Sequence, residues 1–315
     1  MKKMINSEKI EGRLYTHNLT IKQVQNKESK NYGTDFISGT VDIATDEELL
    51  NVIQVHFTYV TETTSSGKVN QTYVNLKKII EGAKTVVSDG PEEAMKLKVD
   101  TALALNDFYN NNGDLVSTKV NEGGFVTILN GKLSPEEERN TFTADMLITS
   151  VIRTEADPEK NVEKDYLTVK GAIFNFRNNL LPIDFKVTNE QGMEYFESLD
   201  ASQSNPVFTK LWGKIKSANI TNEVKEDTAF GEAAVRTYTK KIKEWVITGS
   251  AKEPYDFGDE SVLTADELTK AMQDRELLLA DTKKRNEEYK NSKTTETKQP
   301  VAAPAKQVVT QTFNF

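Results

Sequence analysis

The chain has 315 residues, 37% of them hydrophobic and 28% charged, with a formal net charge of −8 and no cysteine. That length suffices for two cores, while the composition excludes a disulfide framework, a thiol nucleophile and a thiolate metal site and counts against a generally basic duplex binder. No apolar run approaches the ~18–20 residues that cross a bilayer as a helix, and the opening MKKMINSEKIEG lacks the apolar core of a secretory signal.

In chain order, Glu8 to Val24 alternates as a long first strand, with Arg13, Tyr15 and His17 on one face and Ile10 and Leu14 on the other. After the polar turn KESKNYG, Asp35 to Ala44 reads as a strand with Ile37, Gly39, Val41 and Ile43 inward. Asn51 to Thr61 follows, with Ile53, Val55, Phe57 and Tyr59 on one face. Tyr73 to Ala83 has the 3–4 spacing of a short helix, and Lys96 to Leu105 returns to alternation. DFYNNNG is a turn, and Leu115 to Val120 and Phe125 to Leu129 supply closing strands. Three strands, a short helix and two strands is the order of an oligonucleotide-binding (OB) barrel.

NGKLSPEEERN then reads as a linker, and the order repeats: strands at Thr141 to Thr154, Tyr166 to Asn175 and Leu180 to Thr188, and a helix near Gly192 to Leu199. Ile37, Gly39 and Val41 match Val169, Gly171 and Ile173, while Ile53, Val55 and Phe57 match Leu181, Ile183 and Phe185. Such repetition points to tandem barrels.

The next stretch, NPVFTKLWGKIKSANI, sets Val207, Thr209, Leu211, Gly213 and Ile215 on a core face. The opposite face interleaves Phe208 and Trp212 with Lys210, Lys214 and Lys216. A strand normally turns aromatics inward and charges outward, so this mixture suits single-stranded nucleic acid, whose phosphates meet lysines and whose bases stack on rings. The alternative is a solvated strand whose Trp212 is covered by a neighbouring element. Lys170, Phe174 and Phe176, with Arg177 at the turn, repeat the mixture; the first half offers Arg13, Tyr15 and Phe36.

TNEVKEDTAFGEAAVRTYT is expected to form a hairpin reaching beyond the barrel, and KEWVITG closes the sheet with Trp245 as an anchor. Thr264, with Glu267 three residues on, caps a helix that should persist to about Asn291, its charged end projecting or docking on a partner. Ser292 to Gln311 has the composition of a disordered tether, and the closing TFNF presents Phe313 and Phe315 as a peptide for another protein. His17 and His56 are the only histidines, and no HExxH, GxSxG, Walker-type or dinucleotide-binding motif accompanies them. No enzyme, metal or cofactor is therefore expected.

The blocks LNDFYNNNGDLVS, NEGGFVTILN, VKGAIFNFRNNLLPIDFKVTN, GMEYFESLDASQSNPVFTKLWGKI and EWVITGSAKEPYDF resemble a group of phage proteins from phages of Gram-positive bacteria. The resemblance implies single-stranded DNA binding beside the replication genes, in the host cytoplasm, and supplies no catalytic motif. Barrels followed by a tail with an aromatic tip are also similar to the layout of bacterial single-stranded DNA-binding proteins, although this tail carries Lys293, Lys298 and Lys306 against a single Glu296.

The expected protein is mainly β: two OB-like barrels in tandem (residues 1–132 and 133–260), a C-terminal helix (261–291) and a disordered tail (292–315). It would coat single-stranded DNA without strong sequence preference and recruit replication or recombination proteins through its tip, with no membrane partner. Its rivals are a non-catalytic docking adaptor of the replisome or virion and, further off, a metal-dependent nuclease.

Overall fold

A computed structural model describes residues 4–157, 162–226, 234–256 and 263–296. The first half contains β1 (Asn6–His17), β2 (Thr20–Gln23), β3 (Asp35–Ala44), β4 (Val52–Thr61), α1 (Gln71–Gly82), α2 (Val86–Asp89), β5 (Lys96–Tyr109) and β6 (Leu115–Leu129). A single 3-10 turn, Glu136–Glu138, leads into β7 (Asn140–Thr154), β8 (Tyr166–Phe174), β9 (Leu180–Val187), α3 (Glu190–Ser198), β10 (Val207–Glu226), β11 (Ala234–Ser250) and α4 (Ala265–Glu296).

Pairing runs β1–β3–β4–β6–β5 and back to β1, which closes a barrel. Every joint is antiparallel except β4–β6, where Val55 meets Asn121 and His56 meets Glu122 in parallel. The second half closes in the same order, β7–β8–β9–β11–β10 and back to β7, again with one parallel joint, between β9 and β11. The shared topology, with a helix between the third and fourth barrel strands, makes both halves OB-type barrels. They share one sheet, because β1 also pairs with β7 from Asn6–Ala144 to Ile10–Asn140.

Alternating apolar residues face inward, and one core runs through both barrels, from Ile37, Leu76 and Ile79 to Phe185, Phe196 and Trp245. Each such side chain contributes roughly 1.5–3 kcal/mol on burial. Asn70 and Asn189 cap α1 and α3 by accepting from Thr72 N–H and Gly192 N–H. Those helices then press Tyr73 and Leu76, or Met193 and Phe196, into the core.

The barrels are also joined by side chains. Glu8, buried on β1, accepts from the Trp245 indole N–H at 2.8 Å and from the Thr101 hydroxyl at 2.8 Å. Asn51, after β3, accepts from Ser217 N–H and donates to the Ile215 carbonyl on β10. Lys119 on β6 meets Asp184 on β9 at 3.1 Å.

Several boundaries differ from the pattern reading. The first strand breaks at Asn18 and Leu19, so β2 is a separate edge strand. β5 continues through Asp107–Tyr109, and β6 is one strand that accommodates Gly123 and Gly124 at a register shift. The repeat is also offset by two residues. With Ile53, Val55 and Phe57 laid on Leu181, Ile183 and Phe185, the cross-strand partners are Ile43, Val41 and Gly39 in one barrel and Ile173, Gly171 and Val169 in the other. In that overlay Gly171 falls on Val41. Gly171 is glycine because a Cβ there would stand 1.9 Å from the Leu147 carbonyl oxygen.

The two arms of the expected hairpin pair, from Ile220–Lys240 out to Glu226–Ala234, and its tip, residues 227–233, lies outside the described residues. The expected cap is also present. Thr264 Oγ accepts from Glu267 N–H, and Glu267 accepts from Thr264 N–H. The helix that follows does not project: Leu263 and Ala271 pack with Phe174, Phe208, Met4 and Leu147. Further along, Arg275 forks onto Asp107, and Asn286 donates to the Tyr109 carbonyl at 2.7 Å. The C-terminal helix thereby straps the second barrel to the β5–β6 hairpin of the first.

Candidate nucleic-acid interface

On β10 the alternation holds: Leu211, Gly213 and Ile215 are buried, while Lys210, Trp212, Lys214 and Lys216 face outward. Trp212 is 42% exposed. Its indole lies across the backbone of the paired Gly249, where a Cβ would stand 2.4 Å from Nε1. Gly249→Ala should therefore lift the ring toward solvent, read as a red shift of tryptophan emission in the folded protein.

Lys214 and Lys216 line a groove of about 490 Å³ between the barrels, shared with Asp46, Glu136 and Glu137. Burial lowers the pKa of Lys214, and the charges of Glu137 and Glu138 oppose that shift. The local field is consequently less positive than the lysine row alone implies.

Phe208 and Phe174 share the outward parity but are not available to bases. Phe208 lies against Tyr255, with ring centroids 5.1 Å apart, and edge-on to Phe174, and both rings are buried with Leu263 and Ala271. Tyr255, Leu263 and Ala271 cover what alternation leaves outside.

The other expected contacts are dispersed. Lys170 is exposed on β8 opposite Asp184. Phe176, 73% exposed at the β8–β9 turn, has the Arg177 guanidinium 5.1 Å from its ring centroid. Arg13 is committed to Glu47 at 2.7 Å, and Arg139 holds the same carboxylate, so this arginine is structural. Tyr15 is half-buried. Phe36 is half-buried beside Tyr59, with centroids 4.7 Å apart and planes tilted by 41°. Phe313 and Phe315 lie outside the described residues.

Alternation places Tyr59 inward with Phe57, yet it is 46% exposed. The cause is a β-bulge: Ile37 pairs with Val60 and Gly39 with Phe57, leaving Thr58 and Tyr59 opposite the single residue Ser38. The extra residue turns Tyr59 out, and its hydroxyl accepts from Asn31 Nδ2 at 3.4 Å. The spacing from Phe57 to Val60, both packed on the core, is the trace the bulge leaves in the sequence. Among the described residues, no three His, Asp or Glu side chains are grouped to hold a metal ion.

The model of one protein family, YorF, matches residues 6–285. No curated protein matches the chain. A solved structure it is similar to is a deletion mutant of the single-stranded DNA binding protein from Thermus aquaticus, at 11% identity and a TM-score of 0.46, covering 82% of this chain and 100% of that one.

Proposed function

The chain belongs to the YorF family, and we propose that it is a phage protein that binds single-stranded DNA with little sequence preference during replication or recombination in the host cytoplasm. The observation that carries this reading is Trp212, held flat and half-exposed on Gly249 in one outward row with Lys210, Lys214 and Lys216. An exposed indole among ammonium groups suits stacked bases flanked by phosphates. Phe176 with Arg177 at the β8–β9 turn and Phe36 with Tyr59 on β3 and β4 extend the same chemistry, and Lys170 adds a cation on β8. The net charge of −8 disfavours duplex away from these positions. In this reading the TFNF tip recruits replication or recombination proteins.

The test is a tryptophan fluorescence titration with oligo-dT of about 30 nucleotides, a length exceeding the site of one OB fold. Trp245 is buried with its indole N–H on Glu8, so quenching reports Trp212. The expected result is quenching that weakens as salt rises, little response to duplex, and a loss of about 1–3 kcal/mol in Trp212→Ala. No binding of oligo-dT at low salt, by quenching or by anisotropy, would overturn the proposal. The mixed-charge groove at Lys214 and Lys216 favours the rival docking module. Charge reversal at Lys210, Lys214 and Lys216 that abolishes DNA binding while leaving the fold intact decides against it.

A further inference from the structure

The overlay of Ile53, Val55 and Phe57 on Leu181, Ile183 and Phe185 sets a second pair of positions side by side. Carried to the strand starts, that overlay lays Phe36 on Tyr166. Beyond the bulge, Val60 opposite Ile37 matches Val187 opposite Leu167, so Tyr59 falls on Lys186. Both barrels thus carry a two-residue cluster at one place on their second and third strands, with different contents.

In the second barrel the Lys186 ammonium sits 4.0 Å from the Tyr166 ring centroid and is held there by Glu244 at 3.1 Å. The ring is covered, and the covering charge is already neutralised. In the first barrel Tyr59 replaces the lysine. It leans against Phe36 at 41° rather than lying over it, and it leaves nearly half of its own surface open. Lys22, paired with Phe36 across the β2–β3 ladder, is exposed on the same outward side.

We propose that the first barrel holds a base-stacking site at Phe36 and Tyr59, with Lys22 meeting the adjoining phosphate, and that its counterpart at Tyr166 is closed from within by Lys186. This rests on the single-stranded DNA reading and gives the first barrel a binding role of its own. A base stacks on the open face of Tyr59, which needs no charge, and Lys22 supplies the salt-sensitive part. At Tyr166 a base would have to displace an ion-paired ammonium from a ring face it already stabilises.

The experiment is fluorescence anisotropy of labelled oligo-dT on the full chain across a salt series, with thermal melts for each variant. Tyr59→Ala is expected to weaken binding about 5- to 150-fold without changing the slope of log affinity against log salt. Phe36→Leu, which keeps the apolar body, should weaken it in the same direction. Lys22→Gln should reduce the slope by about 0.7, and Tyr166→Ala should change affinity less than about twofold, within the scatter of surface substitutions. Unchanged affinity in Tyr59→Ala and Phe36→Leu, in a wild type that binds, overturns this site and leaves the single-stranded DNA reading standing. A loss in Tyr166→Ala equal to that in Tyr59→Ala overturns the asymmetry. A wild type that does not bind overturns both.

Discussion

Arg275→Met is expected to destabilise the protein by about 3–5 kcal/mol, because it strands a buried carboxylate. Arg275 and Asp107 have side chains only 8% and 9% exposed, joined by N–H···O bonds of 2.6 and 2.8 Å. Ser117 donates to the same carboxylate at 2.6 Å, too little to compensate a lost guanidinium. The pair links α4, which follows the second barrel, to β5 of the first, so the loss should appear as a lower urea midpoint and as earlier proteolysis of α4. Arg275→Met combined with Asp107→Leu should recover most of the loss, since an apolar pair of similar volume avoids desolvating two charges. A single variant as stable as wild type would mean that the apolar contacts of Leu263 and Ala271 alone hold the helix.

Glu8→Gln is expected to stabilise the protein at alkaline pH by up to about 3 kcal/mol and to change nothing near pH 4. Burial pushes the Glu8 carboxyl up to about 7 from an ordinary 4.5, against the opposing pull of its bonds from Trp245 and Thr101. Below pH 4.5 the group is protonated in both folded and unfolded chains, and its contribution is intact. Between 4.5 and 7 the folded chain retains a proton that the unfolded chain has released, so stability falls as pH rises, and above 7 the full penalty stands. Glutamine has the shape of the protonated acid. Its carbonyl accepts from the Trp245 indole, and its amide donates to the Thr101 hydroxyl, which can turn to accept. Other groups titrate alike in both proteins, so the difference between their stability curves isolates Glu8. Parallel curves from pH 4 to 9 would show that the junction already solvates this carboxylate.

Much of the architecture is legible in the residues because its causes are local. Alternation at Ile37, Val41, Val55 and Val169 fixes which side of each strand is apolar, and all four are buried. The order of strands and short helices repeats, and both halves close as barrels. Thr264 and Glu267 start the last helix through bonds spanning only three residues, and Trp245 takes the inward position its apolar neighbours assign to it.

The interface is less legible because exposure is decided by elements distant in sequence. Period two states that Phe174, Phe208 and Trp212 point away from the barrel interior; it cannot state that Leu263, Ala271 and Tyr255 arrive to cover the first two and leave the third open. Lys214 and Lys216 read as free cations along the strand, and only packing brings Asp46, Glu136 and Glu137 to the same groove. Tyr59 shows the sharpest limit. One inserted residue opposite Ser38 reverses the side it faces, and such a bulge is defined by how two strands pair rather than by a residue type at Tyr59. The sequence by itself determined most of the strands and inner faces, the repeated order of elements and the helix cap, since each follows from backbone periodicity and bonds within a few residues. The tertiary structure decided which outward rings remain uncovered and which charges they meet, since those depend on contacts made only when the two barrels and the last helix are assembled.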